Sequence, residues 1–357
     1  MKALIRNTYL LLISGLTGWL STGCDNGSSG GVTPQADCRI QKYVAISKSG
    51  SYNQTDQTTY TYDGRGNLVG IVSVNDRQPI NGATVSHTHA TTDTYAYDSE
   101  GYLTKATQQV RDVTVFSGKS TEEQVSSVSS YSYSNGRLAL YTQAYTTAQR
   151  TTTSARAYTY DNAGNLANYT SYNPANPGGT FSIWTYQQNR LVDYVEKTGT
   201  SERRPFTIQD GVITKIVIPG SVNELVLTAT FDNQRRLIKN EEYIDGVLNR
   251  YNTQTWTDAK PSSAALPRFK GFPTVGFPTV GSVAVLSGQE GVLATQKTYY
   301  WNSVSKTMQP YNESTSVVET NAQGFVTKTT ITVKHSNPAS VGQDYTRSET
   351  FTYTGCQ

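Results

Sequence analysis

Apolar and polar residues alternate along short stretches of this chain, break at a polar cluster, and then resume. In "TTYTYDGRGNLVGIV" (Thr58 to Val72), Tyr60 and Tyr62 stand two residues apart, Asp63 to Asn67 form the break, and Leu68 restarts the pattern. Period-two alternation on both sides of a Gly-containing break predicts two antiparallel strands joined by a tight turn. Much the same phrase returns as "DTYAYDSEGYLTKAT" from Asp93 and "RAYTYDNAGNLANYT" from Arg156. Further copies begin at Ser130, Ile183, Pro205, Thr228 and Val317. Their anchoring aliphatics are Leu68, Leu103, Leu138, Leu166, Leu191, Ile213, Leu237 and Val326, with early spacings of 22 to 35 residues. That period is the length of one hairpin plus its return.

Two turn chemistries recur. The long form places Asp three residues before Gly: Asp63 to Gly66, Asp98 to Gly101, Asp161 to Gly164. Asp suits the first position of a type I turn and Gly the left-handed position that follows, which gives a three-residue hairpin connection with a bulge. The short form is one residue tighter. Asn135-Gly136 and Asp210-Gly211 suit a two-residue type I′ turn, and Gln188-Asn189 stands in the same place. A one-residue difference would flip every later side chain, but the bulge absorbs it. Both forms are therefore expected to pair Tyr62 with Leu68 and Tyr133 with Leu138 on one face, with Tyr60 joining them. Val69, Ile71, Tyr141, Tyr169, Tyr194 and Ile216 are expected on the other face. Arg235 occupies the Gly slot of "FDNQRRL", where positive φ is costly, so that turn is expected to differ. Between Leu237 and Val326 the phrase is lost, apart from a degenerate "TYYWNSVSKTM". Asp245-Gly246 and Asn81-Gly82 read as return turns at the opposite end.

Roughly 16–22 strands follow, and open sheets of more than about ten curl, split or flatten. The expected fold is all-β: tandem antiparallel hairpins forming one large rolled or partly closed sheet, a shell or open barrel. "ETFTYTGC" reads as the last strand. The segment 259–291 breaks the pattern with Pro261, Pro267, Pro273, Pro278 and a tandem "GFPTV". Prolines exclude a central strand there, so it reads as a loop insertion. Phe272 and Phe277 are either binding anchors or packing residues laid on the sheet.

Composition supports strands: 25 Tyr, only 2 Met, and abundant Thr and Ser among 357 residues. A net charge of +3 with 16% charged residues gives no indication of nucleic-acid binding. The N-terminus, "MKALIRNTYLLLISGLTGWLSTGC", has Lys2 and Arg6 before a short apolar run, the layout of a signal peptide over 1–23. "LSTGC" resembles a bacterial lipobox, which implies lipidation at Cys24, although Ser21 stands where that motif usually has Leu. Residues 24–37, rich in Gly, Ser and Pro, read as a flexible tether, and 38–357 as the folded domain. Cys38 opens that domain and Cys356 closes it. In an oxidising compartment they are expected to pair.

"YTYDGRGNL", "YAYDSEGYL" and "YTYDNAGNL" resemble the YD-repeat (Rhs-like) family, whose signature is Tyr-Asp, two residues, Gly, any residue, Leu. The resemblance is good from Thr58 to Val247 and weak beyond. It implies a hairpin scaffold or binding surface of the kind found in bacterial cell-envelope lipoproteins.

Candidate chemistry is sparse. His87 and His89 share a strand face, and a metal site needs at least one further ligand; they read as a polar face, with no metal or cofactor expected. Phosphate loops and nucleophile elbows are absent. Glu122-Glu123 and Glu241-Glu242 are sequence neighbours, so strand geometry sends each pair to opposite faces. No catalytic residues are assigned. The repeat Tyr residues read as sheet packing. Trp256, Tyr299, Tyr300 and Trp301, outside the repeats, are the candidate binding aromatics, with Phe272 and Phe277. The expected function is a non-catalytic, membrane-anchored binding or scaffold module of the cell envelope, most simply on the outer membrane, for a glycan or an envelope protein. A passive spacer is the alternative, and a glycan-active enzyme a more distant one.

Overall fold

The computed structural model describes residues 38–48, 52–80, 84–176, 178–219, 223–266, 268–273, 291–302, 304–336 and 344–356. Cys24, Phe277 and the Asn81-Gly82 turn lie outside them. The fold is one antiparallel sheet of 21 strands. In chain order these are β1 (Arg39–Lys48), β2 (Tyr52–Tyr62), β3 (Leu68–Pro79), β4 (Val85–Tyr97), β5 (Leu103–Phe116), β6 (Lys119–Ser134) and β7 (Arg137–Thr146). Next come β8 (Thr151–Tyr160), β9 (Leu166–Tyr172), β10 (Phe181–Gln187), β11 (Arg190–Thr198), β12 (Ser201–Arg203), β13 (Phe206–Gln209) and β14 (Val212–Pro219). The last are β15 (Glu224–Phe231), β16 (Leu237–Ile244), β17 (Val247–Thr257), β18 (Val292–Asn302), β19 (Thr307–Thr320), β20 (Val326–His335) and β21 (Tyr345–Thr354).

Both turn forms deliver the same pair. Tyr62 faces Leu68 and Tyr133 faces Leu138, as do Tyr97 and Leu103, Tyr160 and Leu166, and Tyr186 and Leu191. In the long form the Asp63 carbonyl accepts from the Gly66 N–H while the Asp63 N–H donates to the Asn67 carbonyl, both at 2.9 Å, and Gly66 sits at φ 85°. The Arg235 turn does not differ. Arg235 adopts φ 61° and keeps both backbone bonds, because the Asp232 carboxylate accepts from the Gln234 and Arg236 N–H groups and from the Arg236 guanidinium.

A second bulge was not visible in the sequence. It follows the aliphatic in every copy: Tyr62 opposes Leu68, but Thr61 opposes Gly70, so Val69 is the extra residue. Ala139, Ala167, Val192, Thr214 and Ile238 hold the same place. The added residue turns the face over, so positions three apart share the interior. Ile71, Tyr141, Tyr169, Tyr194 and Ile216 are therefore buried beside the aliphatics, not on the opposite face. Tyr60 pairs with Ile71 and Trp184 with Tyr194, which makes a second inner row.

The repeat also runs through the region where its sequence is lost. Trp256 pairs with Leu293 with the same bulge after the aliphatic, and the insertion occupies the place of the turn. The pattern returns once more where the first and last described residues meet. Ile40 pairs with Tyr353 with Gln41 bulged, and the Cys38–Cys356 disulfide, 318 residues apart in sequence, stands where the other hairpins have a turn.

Ladders run without a gap from β13 through β21 to β1, and on through β2 to β12. The two ends of this run, Arg203 and Phe206, are separated by only Arg204 and Pro205, so the sheet rolls through a full circle. Along the seam no ladder joins β11 to β13. Instead, the Tyr194 N–H donates to the Asp193 carboxylate at 2.8 Å, and the Tyr194 and Phe206 rings stack at 4.4 Å. Ile208 stands at this seam in the position held by Tyr186 in the copy before it and by Phe231 in the copy after it.

At the turn end the interior is apolar and filled. Trp184, 1% exposed, stacks on Tyr169 at 5.6 Å. Residues 259–266 and 268–273 form a strap along this end. The Val326 N–H donates to the Lys260 carbonyl and the Leu138 N–H to the Gly271 carbonyl. Phe269 of the strap packs on Tyr95 and Tyr97. Farther along the strands the interior becomes polar. Arg347 pairs with Asp56 and Glu349, each at 2.8 Å.

Candidate functional site

The candidate aromatics separate by the face their strand position gives them. The Trp256 indole N–H donates to the Leu237 carbonyl at 2.7 Å, the role that Tyr hydroxyls play elsewhere. Phe272 packs on Tyr131 at 5.4 Å and Phe269 at 5.3 Å. Tyr300 points inward and meets Tyr311 edge-on at 5.8 Å; Tyr311 in turn meets His335 at 6.0 Å. These residues are committed to packing or latching.

Tyr299 and Trp301 alternate with Tyr300 and lie on the outer face. Register places Tyr299 opposite Tyr251, and the two rings stack at 4.5 Å with an interplanar angle of 13°. Trp301 is two residues along, opposite Met308. The next positions on this face carry charge. Lys239 lies 5.5 Å from the Tyr251 ring centroid and pairs with Glu241 at 2.7 Å, and Lys297 pairs with Glu313 at 3.2 Å. The hydrogen bond to Glu241 holds the Lys239 ammonium above its ordinary pKa. Partial burial, then the Tyr299 ring, pushes the Tyr251 hydroxyl up, while Lys239 opposes the shift. The result is a step of aromatic surface bordered by hydrogen-bonding groups. Sequence reading missed Tyr251 and Lys239 because their link to Tyr299 is a cross-strand register set by the β17–β18 pairing.

Elsewhere the sheet surface mixes ion pairs with exposed aliphatics such as Ile46, Val72, Val74 and Val317. Arg111–Glu122 at 2.8 Å and Lys328–Glu319 at 2.9 Å pair across it.

His87 and His89 share the inner face, and both reach the Asp112 carboxylate, at 3.3 and 2.6 Å. Among the described residues no cluster of three or more His, Cys, Asp or Glu has an arrangement that could hold a metal ion.

No family model matches the sequence, and no curated protein matches it. Among solved structures, a porin-like protein from Bacteroides uniformis ATCC 8492 is similar at 14% identity and TM-score 0.34, covering 88% of this chain and 96% of that one. TcdB2-TccC3 is similar at 11% identity and TM-score 0.21, covering 78% of this chain and 15% of that one. At such TM-scores neither likeness carries information about function.

Proposed function

We propose that this protein is a lipid-anchored, non-catalytic binding or scaffold module of the cell envelope, built on YD-like repeats, and that the outer aromatic step is its contact surface for a glycan. The stacked Tyr251–Tyr299 pair carries this reading. Packed aromatic faces stack on sugar rings, and Tyr offers an apolar body with a polar tip. Lys239, Glu241, Lys297 and Glu313 border the pair with donors and acceptors suited to sugar hydroxyls. The lipobox-like Cys24 and the following tether support placement at a membrane.

A glycan array probed with the full-length protein tests the reading. Binding that weakens at least tenfold in Tyr299→Ala and Tyr251→Ala, with circular dichroism unchanged, is the expected result. A blank array, or binding indifferent to both changes, would overturn it. The filled interior favours a second reading, a passive envelope spacer, which predicts the blank array.

A further inference from the structure

A recess of about 250 Å³ lies at the turn end, away from the aromatic step. Arg65 comes from the β2–β3 turn, Glu100 from the β4–β5 turn, and Arg268 and Lys270 from the strap, over walls made by Tyr97 and Phe269. Arg65, Arg268 and Lys270 line it together with one carboxylate, Glu100, and the Asp63 charge acts on Tyr97 from beside it. Two of the cations are positioned by neutral acceptors. Arg65 donates to the Ser99 carbonyl at 3.2 Å, and Lys270 donates to the Glu100 carbonyl at 2.9 Å while lying 4.1 Å from the Tyr102 ring centroid. These contacts fix the side chains without neutralising them.

The acids nearest in sequence are engaged in their own turns. The Asp63 carboxylate accepts from the Arg65 and Asn67 N–H groups at 2.9 and 2.8 Å. Asp98 accepts from the Glu100 and Tyr102 N–H groups at 3.0 and 2.9 Å. The Tyr97 hydroxyl donates to the Leu68 carbonyl, which leaves its ring as wall. Phe269 is 7% exposed and fixed against Tyr95 and Tyr97. The site therefore offers fixed positive charge beside a rigid apolar wall. Its volume is below the range of pockets for drug-sized ligands, which suits one small ring.

We propose that this recess binds the oxyanion of an acidic sugar, with Arg65, Arg268 and Lys270 around the carboxylate or phosphate and the ring against Phe269 and Tyr97. Guanidinium and ammonium groups form their strongest hydrogen bonds to such anions. The proposal is independent of the aromatic step.

The test is calorimetric titration of the full-length protein with glucuronate, glucose 6-phosphate, glucose and inorganic phosphate. Both acidic sugars are expected to bind at least tenfold more tightly than glucose, and more tightly than phosphate alone. Lys270→Glu and Arg65→Ala are expected to weaken them at least tenfold, with melting temperature held. Lys328→Ala, in an ion pair outside both the recess and the aromatic step, is expected to leave them unchanged, and the glycan array reads the aromatic step separately, so failure here is distinct from failure of the glycan surface. Equal binding of glucose and glucuronate, affinity unaffected by both charge changes, or phosphate matching glucose 6-phosphate would each overturn the proposal.

Discussion

The Tyr97 hydroxyl donates to the Leu68 carbonyl at 2.7 Å, joining two hairpins at a level where the backbone ladder between them has already ended. That ladder, β3 to β4, closes at Gly70 and Thr94. The same latch recurs from Tyr62 to Ile40, Tyr133 to Leu103, Tyr160 to Leu138 and Tyr353 to Val326. One residue type thus does two things: its ring fills the interior, and its hydroxyl satisfies a carbonyl that would otherwise be buried and unpaired.

Removing a latch should therefore cost more than the hydroxyl itself. Tyr97→Phe leaves the carbonyl of Leu68, 0% exposed, without its donor. A buried unpaired acceptor costs about 1–3 kcal/mol. Tyr186 is the control. Its hydroxyl is buried with no partner among the described residues, so Tyr186→Phe should be neutral or stabilising by up to about 1 kcal/mol. Urea unfolding of the two variants checks the contrast, and equal losses in both would refute the latch.

Arg235→Gly should stabilise the protein. Arg235 holds φ 61° in a turn whose long-form counterparts have Gly. Left-handed backbone costs a non-Gly residue about 1–2 kcal/mol, and the greater freedom of Gly in the unfolded chain returns part of this. A net gain of about 0.5–1 kcal/mol in urea unfolding is expected.

Sequence reading reached the hairpins because turn chemistry is local. Asp63, Gly66 and Leu68 lie within six residues and fix their own register. It failed at Val69, since no side-chain preference marks a bulge occupied by Val, Ala, Thr or Ile in different copies. That bulge depends on where the neighbouring hairpin stops pairing. It failed again at Trp256 and Leu293, because the insertion separates the two halves of one hairpin and Trp replaces Tyr as donor. Tyr299 and Trp301 were visible as aromatics outside the repeat. Their outward face, and the inward face of Tyr300, required the register of β17 to β19.

Stability should fall as pH rises from about 4 to 7. Asp93 is 6% exposed on the inner face, and burial pushes its carboxyl up to about 6, against one opposing hydrogen bond from Gln108 at 2.9 Å. A folded-state pKa above the ordinary 3.8 means that the native state holds its proton longer than the unfolded chain. The contribution is complete below the unfolded value and is lost as pH passes through the folded one. The loss is at most about 3 kcal/mol. Asp93→Asn still accepts from Gln108 and does not ionise. It should flatten this part of the pH profile and raise stability at pH 7 while leaving pH 4 nearly unchanged, measured by urea unfolding at each pH.

The Cys38–Cys356 bond should behave as a turn. It closes the Ile40–Tyr353 hairpin, and the Tyr353 hydroxyl carries that hairpin's latch to Val326. Replacing both cysteines by Ser releases a loop of 318 residues, which costs up to about 5 kcal/mol in the chain-entropy model. If the bond acts only as a connector, a peptide connector should replace it. A circular permutant can join Thr354 to Arg39 through Asn-Gly and open the chain at the exposed Ser117-Gly118 turn. It should recover most of the lost stability without either cysteine. Unfolding curves of the native, double-Ser and permuted chains decide the matter. A permutant no more stable than the double-Ser variant would show that the disulfide supplies something beyond connection.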